Sequence, residues 1–322
     1  MHHLYRQLLV LAFLCYAAPI AFAQQVVIPS LIRIVVPFSP GASTDIIARA
    51  IAPQLGARLS TTVIVENRPG GSTFIGAAAV AKAPQDGSWL LFSSTSTLSA
   101  AATAKSVPLD VVKDLTAISI IGEGPLVLAV TAKSEIKTIA DFIAAARAQP
   151  NKLTNGSGGV GTSQHLAAEL LNDRAKVQLN HIPYKGSAPG VIDLASGTIE
   201  TMFATSSTVA PQVKAGRVRL IAVTSLKPNP VFSELPTVSS VVPGFELSLY
   251  TIMFAPAGIP SALLTRLNGA INEIGKTKEI LELMVADGAV SASLTADEAT
   301  AKVRASFASY KKIAVDKNIV WE

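Results

Sequence analysis

Cysteine occurs only once in this 322-residue chain, as Cys15, and its position excludes it from the mature protein. It lies in the apolar run Leu8–Ala18, which follows Arg6 and precedes the small-residue site Ala21-Phe22-Ala23. This pattern is typical of an export signal, so residues 1–23 are predicted to be a signal peptide cleaved after Ala23. The mature chain then contains no thiol and can form neither a disulfide nor a cysteine nucleophile.

Two other interpretations of this N-terminus fit the residues less well. An uncleaved membrane anchor needs about 20 apolar residues, which is more than the run supplies. A lipoprotein needs small residues before the modified cysteine, whereas Ala12-Phe13-Leu14 stand before Cys15. The sequence therefore predicts an exported protein.

Histidine is also scarce, because only His165 and His181 of the four histidines follow the signal peptide. With so few nitrogen ligands and no thiolate, the mature chain is predicted to hold no metal and no cofactor. A G-x-S-x-G elbow is missing as well. His165 near Ser157 and Ser163 is the one conceivable start of a catalytic triad. A secreted hydrolase is kept as an alternative on that ground, and the chain is not predicted to be an enzyme.

Strong charge is missing too. The chain has 27 Lys and Arg against 22 Asp and Glu, and loss of Arg6 with the signal leaves 26 against 22, a net charge of +4. No dense basic run with interleaved aromatics occurs, which argues against nucleic-acid binding. The mild positive excess suits attraction of anionic solutes.

Strand-like and helix-like segments alternate along the mature chain, which predicts parallel sheets covered by helices in an α/β fold. The predicted strands are Ile32–Val36, Thr62–Val65, Trp89–Phe92, Val127–Thr131, Lys152–Thr154, Val177–Ile182, Thr198–Phe203, Arg219–Thr224 and Tyr250–Phe254. The predicted helices are Thr44–Leu59, Thr73–Lys82, Ile139–Ala148, Ser163–Leu171, Pro189–Ala195, Val209–Ala215, Ser261–Ile274 and Thr295–Lys312. Thr295 is predicted to cap the last helix, with Glu298 completing a capping box.

Twice, a strand runs into a Gly/Ser-rich turn and then into a helix that opens on Ser and Thr. The first turn is Phe38-Ser39-Pro40-Gly41-Ala42, before Ser43-Thr44-Asp45; the second is Gly156–Gly161, before Thr162-Ser163. Free N–H groups at a helix start, with the positive end of the helix dipole, favour a carboxylate or phosphate without a charged side chain. Two such turns in separate halves of the chain predict a ligand held between two lobes.

The second turn also satisfies the dinucleotide motif G-x-G-x-x-G, from Gly156 to Gly161. That motif expects an acidic residue about 20 positions further on, at the end of the next strand. The next predicted strand leads instead into Pro183-Tyr184-Lys185. An anion site therefore suits the turn better than a nucleotide site.

The element order allows the last segment to return to the first lobe. The first lobe is predicted to comprise residues 24–126 and 251–322, and the second lobe residues 127–250. The chain would then cross between the lobes twice, and such crossings act as a hinge.

Motifs over nearly the whole mature chain resemble one protein family. They are Val36–Asp45, Val65–Gly71, Ile75–Ala77, Ala83–Gly87, Gly158–Leu170, His181–Gly186, Asp193-Leu194 with Gly197, Leu235–Thr237 and Phe254–Gly258. Together with the export signal, they resemble the periplasmic substrate-binding proteins of tripartite tricarboxylate transporters, the Bug family.

The resemblance implies a two-lobe type II periplasmic-binding-protein fold with a hinge and a central ligand cleft. It further implies a periplasmic receptor that captures a small carboxylate, whether a mono-, di- or tricarboxylate or a related acid, and delivers it to membrane permease subunits. The chain is predicted to act as a monomer. A receptor that presents its loaded form to a membrane sensor is an alternative that the sequence does not separate from transport.

The two turns and their surroundings supply the predicted site. The predicted ligand-binding residues are Phe38, Ser39, Gly41, Ala42, Ser43, Thr44, Asp45, Ser157, Gly158, Gly161, Thr162, Ser163, His165, Tyr184 and Thr205. Two positions depart from the family pattern. Ala42 stands where glycine is common, and its methyl group restricts a backbone with positive φ. Phe203-Ala204-Thr205 replaces an acidic or amide pair, so the side of the pocket that contacts the far end of the ligand is expected to differ, and the sequence leaves open whether the ligand is a dicarboxylate.

Several of these residues also have a structural alternative. Ser43, Thr44 and Asp45 could simply cap a helix. Asp45 could repel a carboxylate, select a ligand with an amino group, or only orient its loop. His165 could be a satisfied buried histidine, and Tyr184 could line the cleft or fill the core of a lobe.

Overall fold

Strands and helices alternate along the chain, and the strands form two separate sheets. The structure is a computed structural model that describes residues 26–316. The predicted signal peptide, residues 1–23, lies outside the described residues. Within residues 26–316, no helix has the length and apolar character that a membrane crossing requires.

The strands, in chain order, are β1 (Leu31–Val36), β2 (Thr62–Asn67), β3 (Trp89–Ser94), β4 (Leu115–Pro125), β5 (Val127–Thr131), β6 (Thr154–Ser157), β7 (Asn180–Pro183), β8 (Thr201–Ala204), β9 (Val218–Val223), β10 (Ser248–Pro256) and β11 (Val290–Ser291). The helices are α1 (Ser43–Leu59), α2 (Phe74–Ala81), α3 (Thr95–Thr103), α4 (Ile139–Ala148), α5 (Ser163–Ala175), α6 (Ser187–Ser196), α7 (Ser206–Lys214), α8 (Ser261–Ile274), α9 (Lys278–Ala286) and α10 (Ala296–Asp316).

Each sheet forms the centre of one lobe. The first lobe contains the six-stranded sheet, in the order β11-β4-β10-β3-β1-β2, and the second lobe the five-stranded sheet, in the order β7-β6-β8-β5-β9. Strands such as β1 are almost continuously buried, as expected for strands covered on both faces. The predicted α/β class with two lobes is confirmed.

The sheets are mixed, so the expectation of parallel sheets is met by only some of the strand pairs. β1 pairs in parallel with β2 and β3, but β10 pairs antiparallel with both β3 and β4. In the second lobe, β5 pairs antiparallel with β8 and β9. The reason is the chain path: the chain leaves the first lobe along β4 and re-enters it along β10, so these neighbouring strands run in opposite directions.

Thr224 lies where the chain passes between the two sheets, and its side chain is fully buried. Its backbone N–H donates to the Leu126 carbonyl oxygen at 2.9 Å, and its hydroxyl accepts from the Leu126 N–H at 2.8 Å. The same hydroxyl donates to the Leu247 carbonyl oxygen at 2.8 Å. One side chain therefore connects the segment between β4 and β5 to the segments that follow β9 and precede β10.

The hydrophobic core also continues across the junction. One cluster of buried side chains includes Leu98 of α3 in the first lobe and Leu166 of α5 in the second. These two helices contact each other. Beyond the core, the predicted capping box is present: the Thr295 N–H donates to Glu298 Oε2 at 2.8 Å, and the Glu298 N–H donates to the Thr295 hydroxyl at 3.3 Å.

Candidate functional site: a cleft of helix N-termini

Five helix N-termini meet at the junction of the two lobes. Helices α1 and α3 begin there in the first lobe, and α5, α6 and α7 in the second. Each helix follows a strand closely and begins with a hydroxyl residue: Ser43, Thr95, Ser163, Ser187 and Ser206. The positive ends of five helix dipoles therefore approach one small region, which favours a negatively charged guest.

A cavity of about 30 Å³ lies between these helix starts. The residues that line it are Phe38, Ala42, Ser43, Thr44, Ser94, Ser96, Leu126, Gln164, Ser187, Thr205, Thr208 and Leu249. Among the described residues of this lining, none carries a formal charge. A space of this size corresponds to about one water molecule. The two lobes therefore lie close together around this cavity.

Larger hollows lie on the outer surfaces of the protein. One of about 350 Å³ is bordered by Val26 and Leu263 of the first lobe, and another of about 480 Å³ by Val213 and Phe232 of the second. Each is lined by residues of a single lobe. The cavity at the junction combines residues of both lobes with hydroxyl groups and helix starts, and it is the candidate site for that reason.

The structure brings five of the predicted residues to the cavity wall: Phe38, Ala42, Ser43, Thr44 and Thr205. Ala42 has a φ of −69°, an ordinary value for any residue, while the adjacent Gly41 has a φ of +82°. The left-handed conformation that this turn requires is therefore at Gly41, and the methyl group of Ala42 borders the cavity without backbone strain. The other ten predicted residues are not part of this lining.

Asp45 holds the first loop, Phe38–Ala42, in place through hydrogen bonds. Its carboxylate accepts hydrogen bonds from the Gly41 N–H at 2.9 Å, from Arg49 Nε at 3.0 Å and from Asn67 Nδ2 at 2.8 Å. Burial acts to raise the pKa of the Asp45 carboxyl, but these hydrogen bonds outweigh it and hold the pKa below its usual value. Of the three roles considered for Asp45, this geometry fits orientation of the loop.

The second loop uses most of its own N–H groups internally. The Gly158 N–H donates to Gln164 Oε1 at 2.5 Å, and the Gly161 N–H donates to His165 Nδ1 at 3.0 Å. The Thr162 hydroxyl donates to the Gly159 carbonyl oxygen at 2.8 Å. These bonds shape the turn that leads into α5. From this part of the chain, Gln164 is the residue that borders the cavity.

The strand before this loop is longer than the sequence predicts. Strand β6 covers Thr154–Ser157, so Gly156 and Ser157 belong to the strand and not to the turn. Gly156 has no room for a side chain, because a Cβ atom there would lie 2.4 Å from Ile199 Cδ1. Gly156 therefore serves close packing inside the lobe, although the sequence around it looks like that of a glycine in a binding turn.

Two histidines stack beneath the second loop. The rings of His165 and His181 lie 3.6 Å apart between centroids, at an angle of 14°. Because His165 Nδ1 accepts the Gly161 N–H, its Nε2 carries the proton and faces Glu169 Oε1 at 3.4 Å. His181 Nε2 lies 2.6 Å from the Ser157 hydroxyl, and burial lowers the pKa of His181 to about 4. The pair supports the loop from inside the second lobe.

These contacts do not form a hydrolase site. The Ser157 hydroxyl is paired with His181 and not with His165, and Ser157 is fully buried. A nucleophile needs access to the carbonyl carbon it attacks. Within residues 26–316, no group of three or more His, Cys, Asp and Glu side chains is placed to hold a metal ion.

Tyr184 is half-buried and packs against the core of the second lobe. Its hydroxyl donates to Asp193 Oδ2 at 2.7 Å. Its ring packs where Cβ atoms at Gly156 and Gly190 would lie 3.5 Å and 3.0 Å from it. Burial, with the hydrogen bond to Asp193, raises the pKa of Tyr184 to about 12. Of the two roles considered for Tyr184, this environment fits the core.

The lobes touch each other directly around the cavity. Ser163 of α5 donates its N–H to the Ser96 hydroxyl at 3.2 Å, and its own hydroxyl donates to Thr95 Oγ1 at 3.1 Å. At the opposite rim, the Ser39 hydroxyl donates to the Lys185 carbonyl oxygen. Both predicted turns therefore take part in the contact between the lobes.

Sequence reasoning missed the third element of the wall, the start of α3. Ser94 and Ser96 line the cavity, and the Ser94 hydroxyl caps the helix by accepting the Ser96 N–H at 3.2 Å. The run Ser93–Thr97 of five hydroxyl residues after a buried strand was the available signal. Ser187 and Thr208, at the starts of α6 and α7, were missed in the same way.

Known proteins are similar to this chain in sequence and in architecture. The family model of the tripartite tricarboxylate transporter family receptor matches residues 47–316. The chain belongs to this receptor family. Receptors of the family are periplasmic and bind substrates without converting them, so this family member is a solute-binding receptor and not an enzyme.

Individual relatives agree with the family match. The receptor is 38% identical over 252 residues to a UPF0065 protein in the tcbD-tcbE intergenic region of Pseudomonas sp. (strain P51), covering 78% of this chain and 75% of the relative. It is 34% identical over 270 residues to protein BugT of Bordetella pertussis (strain Tohama I), covering 83% of each chain. The solved structure of R. palustris Rpa4515 with adipate superposes with a TM-score of 0.85 at 30% identity, over 90% of this chain and 98% of that one.

Proposed function

We propose that this receptor is exported to the periplasm, with cleavage after Ala23, and there captures a small carboxylate between its lobes as a monomer. It then delivers the closed, loaded form to the permease subunits of a tripartite transporter. The observation that carries this proposal is the meeting of five helix N-termini at one uncharged cavity. Backbone dipoles and hydroxyl groups can bind a carboxylate there without a lysine or arginine.

Family membership supports the same class of guest. Rpa4515, which shares the fold and 30% of its sequence with this chain, was solved with adipate, a dicarboxylate. The wall of the present cleft also has an apolar part, made by Phe38, Leu126 and Leu249. We therefore expect an acid whose carboxylate lies against the helix starts and whose carbon chain lies against these three side chains.

Entry of the guest requires motion about the segments that connect the sheets. We propose that the lobes comprise residues 24–126 with 251–322 and residues 127–250. They open by rotation about the two crossings, near Leu126 and near the start of β10, where Thr224 binds Leu126 and Leu247. Contacts of the ligand with both lobes at once then favour the closed form. A hinge that is itself buried and hydrogen-bonded keeps the rotation axis defined.

Isothermal titration calorimetry of the mature chain tests the function. The panel comprises mono-, di- and tricarboxylates, including adipate, together with amino acids and aromatic acids. At least one acid should bind with a Kd on the order of 1 µM, or about −8 kcal/mol, and should be recovered unchanged. Failure of the whole panel to bind, or chemical turnover of the bound acid, contradicts the proposal.

A further inference from the structure

The turn between α9 and β11 belongs to the first lobe but is held by the second. The Ala286 carbonyl oxygen accepts a hydrogen bond from the Ser206 hydroxyl, and the Gly288 carbonyl oxygen accepts one from Asn229 Nδ2 at 2.9 Å. Both donors lie in the second lobe. Asp287, between the two carbonyl groups, makes the central contact of this turn.

The Asp287 carboxylate joins the N-termini of two helices from different lobes. Its Oδ1 accepts the backbone N–H of Ser207, in the first turn of α7, at 2.7 Å, and its Oδ2 accepts the Ser43 hydroxyl at the start of α1. The residue is only 7% exposed. The positive ends of both helices favour an anion at this position.

The fit of the turn against the second lobe is close. Gly288 has a φ of +64°, and a Cβ atom at this position would lie 2.4 Å from Phe232 Cε2. A side chain at position 288 would therefore hold the turn away from the second lobe. Burial raises the pKa of the Asp287 carboxyl, and the hydrogen bonds from Ser43 and Ser207 act in the opposite direction. The surroundings thus supply the donors that a buried carboxylate needs.

We propose that Asp287 is a positioning residue that closes the receptor, because its carboxylate binds the start of α7 across the junction as an internal counterpart of the ligand's carboxylate. The Ser207 N–H reaches Asp287 only when the lobes are together, so the contact stabilises the closed form alone. If the closed form matches the ligand-bound conformation, the apparent affinity for the ligand rises in proportion to the population of the closed form.

This proposal does not depend on the identity of the guest. It can be tested on the mature chain alone, so failure of the carboxylate panel and failure of the closure mechanism are separate results. The variants are D287A, which removes both acceptor oxygens, and D287N, which keeps an acceptor for the Ser207 N–H. D297A is the matched control, since it removes an exposed carboxylate of the first lobe, in the first turn of α10, away from the junction.

Small-angle X-ray scattering measures the opening. A compact chain of this length has a radius of gyration of about 19 Å. The wild type, D287N and D297A should stay near this value, and D287A should exceed it by about 1 Å. Hydrogen exchange gives a local readout, because protection of the Ser207 amide should fall at least tenfold in D287A and persist in D287N.

Circular dichroism must show that D287A is folded. If it is not, Asn229→Ala provides a second variant, since it removes the second-lobe donor to Gly288 and should shift the radius of gyration in the same direction by a smaller amount. A folded D287A with the wild-type radius and wild-type protection of the Ser207 amide overturns the proposal. An open wild type under the same conditions overturns it as well.

Discussion

Gly186→Ala should prevent the lobes from closing while leaving each lobe folded. Gly186 lies in the second lobe and faces Ser39 of the first. A Cβ atom at this position would lie 2.6 Å from Ser39 Oγ and 3.1 Å from both the Cβ and the backbone N of the same residue. Rotation of the serine side chain can move only the first of these atoms. The overlap exists only when the two lobes are together.

Two costs of this substitution can be separated. Gly186 has a φ of +101° and a ψ of 165°, a conformation that residues other than glycine avoid, so alanine strains the backbone in the open and closed forms alike. This strain lowers the free energy of unfolding by about 1–3 kcal/mol. The contact with Ser39 affects only the closed form, because ordinary van der Waals contact begins at 3.4 Å, about 0.8 Å beyond the 2.6 Å found here. We expect a loss of affinity of at least tenfold, about 1.4 kcal/mol.

Gly216→Ala is the matched control. Gly216 lies in the same lobe with a φ of +67°, and a Cβ atom there would meet no atom within 4 Å. Both variants should lose thermal stability, measured by circular dichroism, and Gly186→Ala should lose more because of its backbone conformation. Only Gly186→Ala should bind the acid identified by calorimetry more weakly and show a larger radius of gyration. A folded Gly186→Ala with wild-type affinity would refute this account of the closed cleft.

Three further substitutions test the wall and its support. Ser163→Asp places a negative charge in the fully buried contact between α5 and α3, so the affinity for the ligand should fall at least tenfold, about 1.4 kcal/mol. The same change at exposed Ser261, the first residue of α8, should leave the affinity measured by calorimetry unchanged. Equal affinities in both variants would show that Ser163 is not part of the site. Burial lowers the pKa of His181 to about 4, so below the unfolded pKa of about 6.5 the unfolded chain binds more protons than the folded one. The free energy of unfolding should therefore fall by up to about 3 kcal/mol as the pH drops from 6.5 to 4. Urea titrations should show a shallower pH dependence for His181→Gln, and an equal dependence in both proteins would contradict the assignment. Tyr184→Phe removes the hydrogen bond to Asp193 and should cost about 1 kcal/mol of stability with no change in Kd, whereas a weaker Kd at unchanged stability would return Tyr184 to the binding site.

The elements that the sequence predicted best have a clear local signal. Helices α4 and α8 have the predicted bounds, Ile139–Ala148 and Ser261–Ile274. Helix α8 buries Leu263, Leu267 and Ile271 at helical spacing, and this periodicity can be read from the residues alone. The two strand–turn–helix motifs could be predicted for the same reason, because a helix start needs nearby Ser, Thr or Gly.

Elements buried on all sides have no such signal. Every residue from Thr95 to Ala100 in α3 is buried, so the helix has no polar face and no amphipathic period, and its Ser and Thr residues favour loops locally. Strand β4 includes Glu123, Gly124 and Pro125, which suggest a break in the strand. Pairing with β10 over nine residues nevertheless holds it as a strand.

The sequence by itself determined the α/β class, the two hydroxyl-rich turns and the likeness to a receptor family, since these depend on residues close together in the chain. The tertiary structure decided which polar groups remain for a guest. Hydrogen bonds across the junction join Ser163 to Ser96, Ser39 to Lys185 and Ser207 to Asp287, residues far apart in the chain. Only the packed lobes determine such pairings, because a hydrogen bond depends on distance in space and a binding wall combines residues from five separate helix starts.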